Sequence, residues 1–321
     1  MRATTQPAPP ASGTISGNAM AKRSDTTTTI LFALLANGLI AVAKGVAAWL
    51  SGSTSMLAEA AHSLADCGNQ GLLLLGVKRS MRPADADYPL GHGRAIYFWS
   101  FIVALMLFSM GGVFSIYEGL HKLGSGTPLA NPWIAVGVLV FSVAAESASL
   151  WKAMVQVNTL RGTQSLWRWL RETRRSELLV VVGEDIAATV GLSFALLAVV
   201  ATMVTGNPVY DALGSLAIGM LLIGVALFVG IEVTSLLVGQ SAEPATHAAM
   251  LRFLQERDEV AEVYNLITLQ NGADVVVAVK ARMTERVSAL ALVDAINRCE
   301  HALRTEFPDV RWLFFEPDVT A

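Results

Sequence analysis

The distribution of hydrophobic residues divides the chain into two unequal parts. Six long apolar stretches occupy the first part, at about 29–50, 55–77, 96–120, 132–157, 178–204 and 209–238. Each is close to the roughly 20 mostly apolar residues that a helix needs to cross the hydrocarbon core of a bilayer. A helix also satisfies its own backbone hydrogen bonds, as the bilayer interior requires. The pattern therefore predicts an all-α polytopic membrane domain of six transmembrane helices over residues 28–238.

After residue 239 the pattern becomes that of a small soluble domain. Residues 245–257 have apolar positions at helical spacing, and residues 262–269 and 273–283 are typical of strands. Asn271-Gly272, between these strands, is a strong signal for a hairpin turn. A helix at 287–306 and a strand at 310–315 follow. We expect a cytoplasmic α+β domain with the order αββαβ over residues 239–321.

Composition agrees with a membrane protein. Charged residues make up 15% of the chain and apolar residues 53%, and the mean hydropathy is +0.51. A globular domain usually has about 25% charged residues, so a soluble protein with six apolar core helices is the weaker alternative. Residues 1–27 are rich in small and polar residues and have no apolar core of a signal peptide, so we expect a disordered tail without a cleavable signal. Cys67 and Cys299 lie in different parts of the chain, and no disulfide is expected.

The charges between the spans predict the orientation in the membrane. Basic residues are concentrated in the 78–95 loop, and five arginines lie in the 158–177 loop, whereas the connections 51–54 and 205–208 have none. Because cytoplasmic loops carry an excess of Lys and Arg, both termini and both basic loops are predicted to be cytoplasmic, in the cell (inner or plasma) membrane. The tryptophans among the five arginines are typical of an interfacial segment, and no nucleic-acid partner is expected.

Ionisable side chains inside spans are costly, so each is a candidate for function. The spans contain Lys44, Glu59, His62, Asp66, Glu146, Lys152, Glu184, Asp185 and Glu232. Three of them, at positions 44, 152 and 232, lie near span ends and are expected to extend their charged groups toward the interface.

The second span has one polar face. His62 and Asp66 are four residues apart and therefore lie on one side of the helix. Glu59 and Asn69 extend this face, with Gln70 beside it, and are candidates for a proton or ion path. A polar face of three turns requires a water-filled path or a partner helix with polar groups of its own.

The fifth span supplies such a partner at Glu184 and Asp185. Adjacent residues on a helix point about 100° apart, so only one of these carboxylates is expected to face His62 and Asp66 fully. An imidazole with two or three carboxylates suits Zn²⁺, Mn²⁺, Fe²⁺ or Co²⁺ better than Cu⁺. The alternative is a buried His–carboxylate cluster that only holds spans two and five together.

Three features together resemble a known family, the cation diffusion facilitators. They are Ala61-His62-Ser63-Leu64-Ala65-Asp66 followed by Asn69, then Gly91-His92-Gly93-Arg94 before the third span, and an α+β domain after six spans. The resemblance covers about 28–321. The adjacent Glu184 and Asp185 are most similar to the branch that includes zinc transporter 9.

The resemblance implies a homodimer that exports a metal in exchange for protons. It also implies a transport site between spans two and five, to which His62, Asp66 and Asp185 correspond. Val181 stands where a further ligand is expected, and Glu184 is the candidate that replaces it. Asp85 and His92 correspond to a secondary metal site in the second-to-third loop of some members, although the Gly-His-Gly-Arg segment fits a structural turn equally well.

The resulting prediction is proton-coupled efflux of a divalent transition-metal cation by alternating access, with Zn²⁺ first and Mn²⁺, Fe²⁺ or Co²⁺ as alternatives. The metal is a substrate, and no permanently bound cofactor is expected. Ligands must lose protons to bind a metal, which couples the two fluxes. Two alternatives remain open at this point. One is an intramembrane metal-dependent enzyme that activates water, although no His-Glu-x-x-His motif is present. The other is a sensor that binds metal without transporting it.

Overall fold

The computed structural model describes residues 28, 30–32, 34–35, 37–46, 49, 54–125, 132–284 and 288–320. The side chains of residues 54–62, 65, 125, 132 and 134 lie outside this description, and so does the predicted tail 1–27.

The first part of the chain is helical. The described residues within Ile30–Val46 form α1, and a π-helical segment at Leu107–Val113 connects α3 to α4 without a break. The other helices of this part are α2 (Thr54–Ser80), α3 (Ala95–Met106), α4 (Phe114–Ser125), α5 (Pro132–Arg161), α6 (Leu166–Glu172), α7 (Ser176–Thr205) and α8 (Val209–Val238).

Within the described residues, four helical stretches are long and apolar enough to cross a membrane. They are Ala95–Gly124, Ala135–Arg161, Ser176–Thr205 and Val209–Val238. The predicted helical membrane domain is therefore confirmed, while the count of six spans stays a prediction. Helix α2 has 27 residues, and at 1.5 Å per residue it is about 40 Å long. It is long enough to span, but its polar face lowers its mean hydropathy.

The helices pack around an apolar core on the side of the bundle where α3 begins. Its fully buried members come from different helices and include Leu73 of α2, Tyr97 of α3, Val181 of α7 and Val233 of α8. Val181, the position where the family resemblance places a ligand, is thus part of a packed apolar cluster.

The second part of the chain is a small domain built on a sheet, as predicted. It consists of α9 (Pro244–Gln255), β1 (Val260–Asn271), β2 (Asp274–Met283), α10 (Ala289–Glu306) and β3 (Val310–Pro317). Strands β1 and β2 pair antiparallel, and β2 and β3 pair parallel, in the order β1-β2-β3. Its own core includes Met250, Val277 and Leu303, all buried.

The hairpin turn is displaced by one residue from the predicted position. Asn271 pairs with Asp274, so the two turn residues are Gly272 and Ala273. Gly272 has a φ of +67°, a conformation that glycine adopts without strain.

This turn is the point at which the sheet domain contacts the membrane domain. The Gly272 N–H donates to the Tyr97 hydroxyl at 3.0 Å, and the Asn271 amide donates to the Leu90 carbonyl at 2.7 Å. A side chain on Gly93 would collide with the Asn271 backbone, and a Cβ on Gly272 would lie 2.6 Å from the Gly93 carbonyl oxygen. The Gly-His-Gly-Arg segment is therefore the docking surface for the hairpin.

Candidate functional site

The two adjacent carboxylates of α7 contact different helices. The amide of Gln70 donates to one oxygen of Glu184 at 2.7 Å, and the amide of Asn69 donates to the other at 3.2 Å. Asp185 accepts instead from the Ser149 hydroxyl at 3.0 Å. Because neighbouring residues diverge by about 100°, Glu184 joins α7 to α2, whereas Asp185 joins α7 to α5.

The polar contacts to Glu184 leave two acceptor oxygens unused. Asn69 and Gln70 are buried, and within the described residues neither Asn69 Oδ1 nor Gln70 Oε1 has a hydrogen-bond partner. A buried amide oxygen without a partner is costly. This part of the bundle therefore has spare oxygen ligands beside a carboxylate, which favours a cation.

A cavity of 230 Å³ lies between the helices on one side of Glu184. Its inner end lies at mid-span and is lined by charged groups from four helices. These are Lys44 of α1, Asp66 of α2, Glu146 of α5 and Glu184 of α7.

The cavity extends to the end of the bundle that is opposite the sheet domain. At this end Lys122 lies 3.2 Å from an Asp211 oxygen and 3.4 Å from a Glu118 oxygen, and all three side chains line the cavity. They are 18–36% exposed, so water reaches them. The other side of Glu184 is closed by the apolar core that contains Val181. The inner end of the cavity is thus accessible from the end of the bundle that lies away from the sheet domain.

Lys44 does not lie where the sequence predicts. Its side chain is only 4% exposed and donates from Nζ to the Ser63 hydroxyl at 3.0 Å. The prediction that it extends to the interface is wrong, because the position on α1 faces α2 and the cavity rather than the lipid. Lys152 is exposed and Glu232 half-buried, and the same prediction for those two residues stays a prediction.

The structure brings some of the predicted site residues together. Asp66 and Glu184 line one cavity, and Asn69 contacts Glu184. Asp185 is buried against Ser149. The side chains of His62 and Glu59 lie outside the described residues. Among the side chains that are described, no group of three His, Cys, Asp or Glu is arranged to hold a metal ion in this conformation.

Glu146 is a further cavity residue that the sequence does not place in the site. It is 6% exposed and occupies the middle of α5. Its mid-span position was the available signal, but a helix with a single acidic residue has no spacing pattern that shows which neighbour it faces.

Asp85 and His92 are in direct contact in the loop between α2 and α3. His92 Nε2 lies 2.8 Å from Asp85 Oδ2, and the other Asp85 oxygen accepts from the Tyr88 N–H at 2.8 Å. The Tyr88 ring packs on the His92 ring, with centroids 4.3 Å apart. The hydrogen bond from His92 lowers the pKa of Asp85 below its ordinary value. The pair closes a structured turn directly before the docking surface of the hairpin.

Comparison with known proteins identifies the family. The cation efflux transmembrane domain matches residues 30–238. The chain belongs to the cation efflux family. The human proton-coupled zinc antiporter SLC30A9, mitochondrial, is 34% identical over 242 residues, which is 74% of this chain and 42% of the human protein. This confirms both the resemblance to the cation diffusion facilitators and the branch.

Other members of the family are also similar to this chain. Metal tolerance protein C4 of Arabidopsis thaliana is 33% identical over 239 residues, which is 73% of this chain and 51% of the plant protein. The cation-efflux pump FieF of Escherichia coli O1:K1 is 26% identical over 275 residues, which is 84% of this chain and 85% of the pump. The chain spans less than half the length of the human relative. By name the human relative is an antiporter and the Escherichia coli relative an efflux pump, so the family is one of membrane transport proteins and not of enzymes.

Proposed function

We propose that this protein exports a divalent transition-metal cation across its membrane in exchange for protons. The observation that carries the proposal is the cavity whose inner end, at mid-span, is lined by Asp66, Glu146 and Glu184 and which reaches one end of the bundle. Carboxylates inside a membrane are costly unless they have cations as partners. The cation efflux family and the zinc antiporter among the relatives agree with this cargo.

The proposed metal ligands are His62 and Asp66 from α2 with Glu184 and Asp185 from α7. Asp66 and Glu184 already line the same cavity. Asp185 lies one residue away on the α5 side, so a rotation of α7 exchanges the carboxylate that faces Asp66. An imidazole and carboxylates form a mixed nitrogen and oxygen shell, which suits Zn²⁺ first and Mn²⁺, Fe²⁺ or Co²⁺ next.

Proton exchange follows from the same ligands. His62 and the carboxylates must be deprotonated to bind the metal, and protonation releases it. In the proposed cycle the described conformation is the one in which the ion leaves. The apolar core around Val181 separates Glu184 from the sheet domain in this conformation, and it opens when the site loads from the cytoplasm. Asn69 and Glu59 are proposed to lie on the proton or ion path.

We propose that α1 and α2 complete a set of six spans, with both termini and the sheet domain in the cytoplasm. The basic loops at 78–95 and 158–177 support this orientation. The membrane that we propose is the inner or plasma membrane of the cell, since the mitochondrial location belongs to the named relatives.

We propose that the protein acts as a homodimer. The face of the sheet that α9 and α10 leave open carries an apolar row, in which Ile267, Ala278 and Phe314 are paired across the three strands. Ile267 and Phe314 are more than half exposed. A second copy of the same sheet would cover this row.

Transport by purified protein in liposomes tests the proposed function. We expect uptake of Zn²⁺ that depends on a pH gradient. Mn²⁺, Fe²⁺ or Co²⁺ should be taken up in the same way if the ligand shell accepts them. Asp66→Asn and Asp185→Asn should each reduce the rate by at least about 100-fold, because one charged ligand is lost. The exposed surface variant Asp294→Asn is the matched control and should transport like the wild type.

The same experiment separates a transporter from a metal sensor, since both would bind metal at this site. Metal binding with no flux in the wild type would favour a sensor. Equal flux by wild type and Asp66→Asn would disprove the site assignment.

A further inference from the structure

Two charged residues at the inner end of the cavity are not part of the proposed ligand set, namely Lys44 and Glu146. Both are more than nine-tenths buried, and both line the inner end of the cavity. They come from α1 and α5, helices outside the pair that carries the proposed ligands.

Glu146 lies near the other charges but is not tied to them. The carboxylates of Glu184 and Asp185 accept hydrogen bonds from Asn69, Gln70 and Ser149. The Glu146 carboxylate accepts none from the side chains that the structure describes. The charges that act on it are those of Asp185, Asp66 and Lys44. It is therefore a negative group directed into a cavity in which no described group neutralises it by direct contact.

Lys44 is held close to the same groups. Its ammonium donates to Ser63, which lies three residues before Asp66 and therefore on the same face of α2. An ammonium at this point lowers the repulsion among the buried carboxylates. It would also repel a metal ion that arrives between them.

The charges at the inner end favour a cation. The lining there contributes three carboxylates, at 66, 146 and 184, and one ammonium, at 44, and the carboxylate of Asp185 lies near enough to act on Glu146. Without Lys44 the empty cavity would be more negative, and without Glu146 it would attract a metal ion less strongly.

We propose that Glu146 and Lys44 set the charge of the cation cavity, Glu146 by attracting the metal and Lys44 by taking the place of a cation when the metal has left. The inference rests on the proposed transport function and extends it to two residues outside the ligand set. It predicts that the two residues act in opposite directions on metal affinity.

Metal affinity of the purified full-length protein tests this pair, measured by competition of Zn²⁺ against a chromophoric chelator. Glu146→Gln should weaken binding about tenfold or more, and Lys44→Met should tighten it by a similar factor, because a single charge at this range changes a buried equilibrium by that order. The double variant should return to within about threefold of the wild type.

Transport in liposomes supplies a second readout. Lys44→Met should transport more slowly even though it binds more tightly, since the ion is released less readily. A purely structural role of Lys44 would reduce binding and transport together. The controls are Lys152→Met and Glu232→Gln, whose side chains do not line the cavity, and both should behave like the wild type.

Two outcomes would overturn the inference. One is a Glu146→Gln protein whose affinity equals that of the wild type, and the other is a Lys44→Met protein that binds more weakly. If Glu146→Gln does not fold, Glu146→Asp keeps the charge with a shorter reach and should bind Zn²⁺ more weakly than the wild type, by less than about tenfold. In that case wild-type affinity in Lys44→Met would decide against the pair. Failure of the wild type itself to bind or move any of the four metals would instead disprove the proposed function.

Discussion

At the scale of single residues, the loop before α3 is organised by one carboxylate. Asp85 accepts the backbone N–H of Tyr88 through one oxygen and contacts His92 through the other. This explains why Gly-His-Gly-Arg begins with a glycine of positive φ, since Gly91 at +83° lets the chain turn so that His92 faces Asp85. A secondary metal at Asp85 and His92 stays a prediction, and a metal there would have to replace their mutual hydrogen bond.

The loop should open at acid pH. The hydrogen bond from His92 lowers the pKa of Asp85. A lowered pKa means that the contribution of Asp85 to the folded loop is present above its ordinary value of about 3.9 and is lost as the pH falls through the lowered value. Hydrogen exchange of residues 85–92, corrected for the intrinsic rate, should stay slow from neutral pH to about pH 4.5 and increase below it.

His92→Ala is the variant that checks this assignment. Removing the hydrogen bond raises the pKa of Asp85, so the loop should open at a higher pH than in the wild type. An unchanged pH profile would contradict the role of the pair. Slower exchange on addition of Zn²⁺ to the wild type, but not to His92→Ala, would establish the predicted secondary metal site.

At the scale of elements, the β1–β2 hairpin is docked on the start of α3 through two glycines. Gly272 has a positive φ and a carbonyl oxygen of Gly93 within 2.6 Å of where its Cβ would lie. Gly162 also has a positive φ, at +56°, but no atom lies near its missing Cβ. The two positions therefore share the conformational cost of a side chain and differ only in the contact.

Gly272→Ala should cost more stability than Gly162→Ala. Both variants pay about 1–2 kcal/mol for an L-residue in the left-handed region. Gly272→Ala also forces the hairpin away from Gly93, which adds about 1–3 kcal/mol. Thermal unfolding of the purified protein measures the difference, and hydrogen exchange of residues 90–97 should increase in Gly272→Ala alone. Equal destabilisation by the two variants would mean that the docking contact is not tight in solution.

The elements also show which parts of the site a sequence reveals. The polar face of α2 and the divergence of Glu184 and Asp185 follow from helical spacing. Among the described side chains, Glu184 is hydrogen-bonded to α2 and Asp185 to α5. The sides of α1 and α5 that face the cavity do not follow from spacing, because a single buried charge on a helix forms no pattern that shows which side of the helix is buried. Lys44 was therefore expected at the interface and Glu146 was left out of the site.

At the scale of the whole molecule, composition predicts a membrane protein because every span must consist mostly of apolar residues to cross the bilayer. The predicted sheet domain is present because apolar and polar residues alternate along its strands and a glycine, Gly272, stands in its turn. The docking of the two parts joins Tyr97 to Gly272, 175 residues apart. No local pattern encodes a contact between such distant segments. The apolar row on the open face of the sheet likewise cannot be predicted without the register of the three strands.

The proposed homodimer makes Phe314 its most sensitive position. Phe314 is 56% exposed and is the aromatic residue of the apolar row, on strand β3, so Phe314→Asp should place a charge in the interface and lower the dimer fraction by at least about tenfold. Leu290, on α10, is 71% exposed outside the sheet, and Leu290→Asp is the matched control. Light scattering of the detergent-solubilised protein gives the mass of each. An unchanged mass for Phe314→Asp would exclude the sheet face as the contact.

The docked hairpin has a mechanical consequence for the transport cycle. Tyr97 lies near the start of α3, and that helix continues through the π-helical segment to the Glu118 and Lys122 end of the cavity. If α3 tilts when the cavity closes, the sheet must either swing with it as a lever or detach from it. A pair of spin labels on β2 and at the end of α4 would distinguish these cases. If the sheet moves with α3, the distance between the labels stays constant; if the sheet detaches, the distribution of distances becomes broader. The orientation of the sheet domain would then report the state of a site that is buried in the membrane.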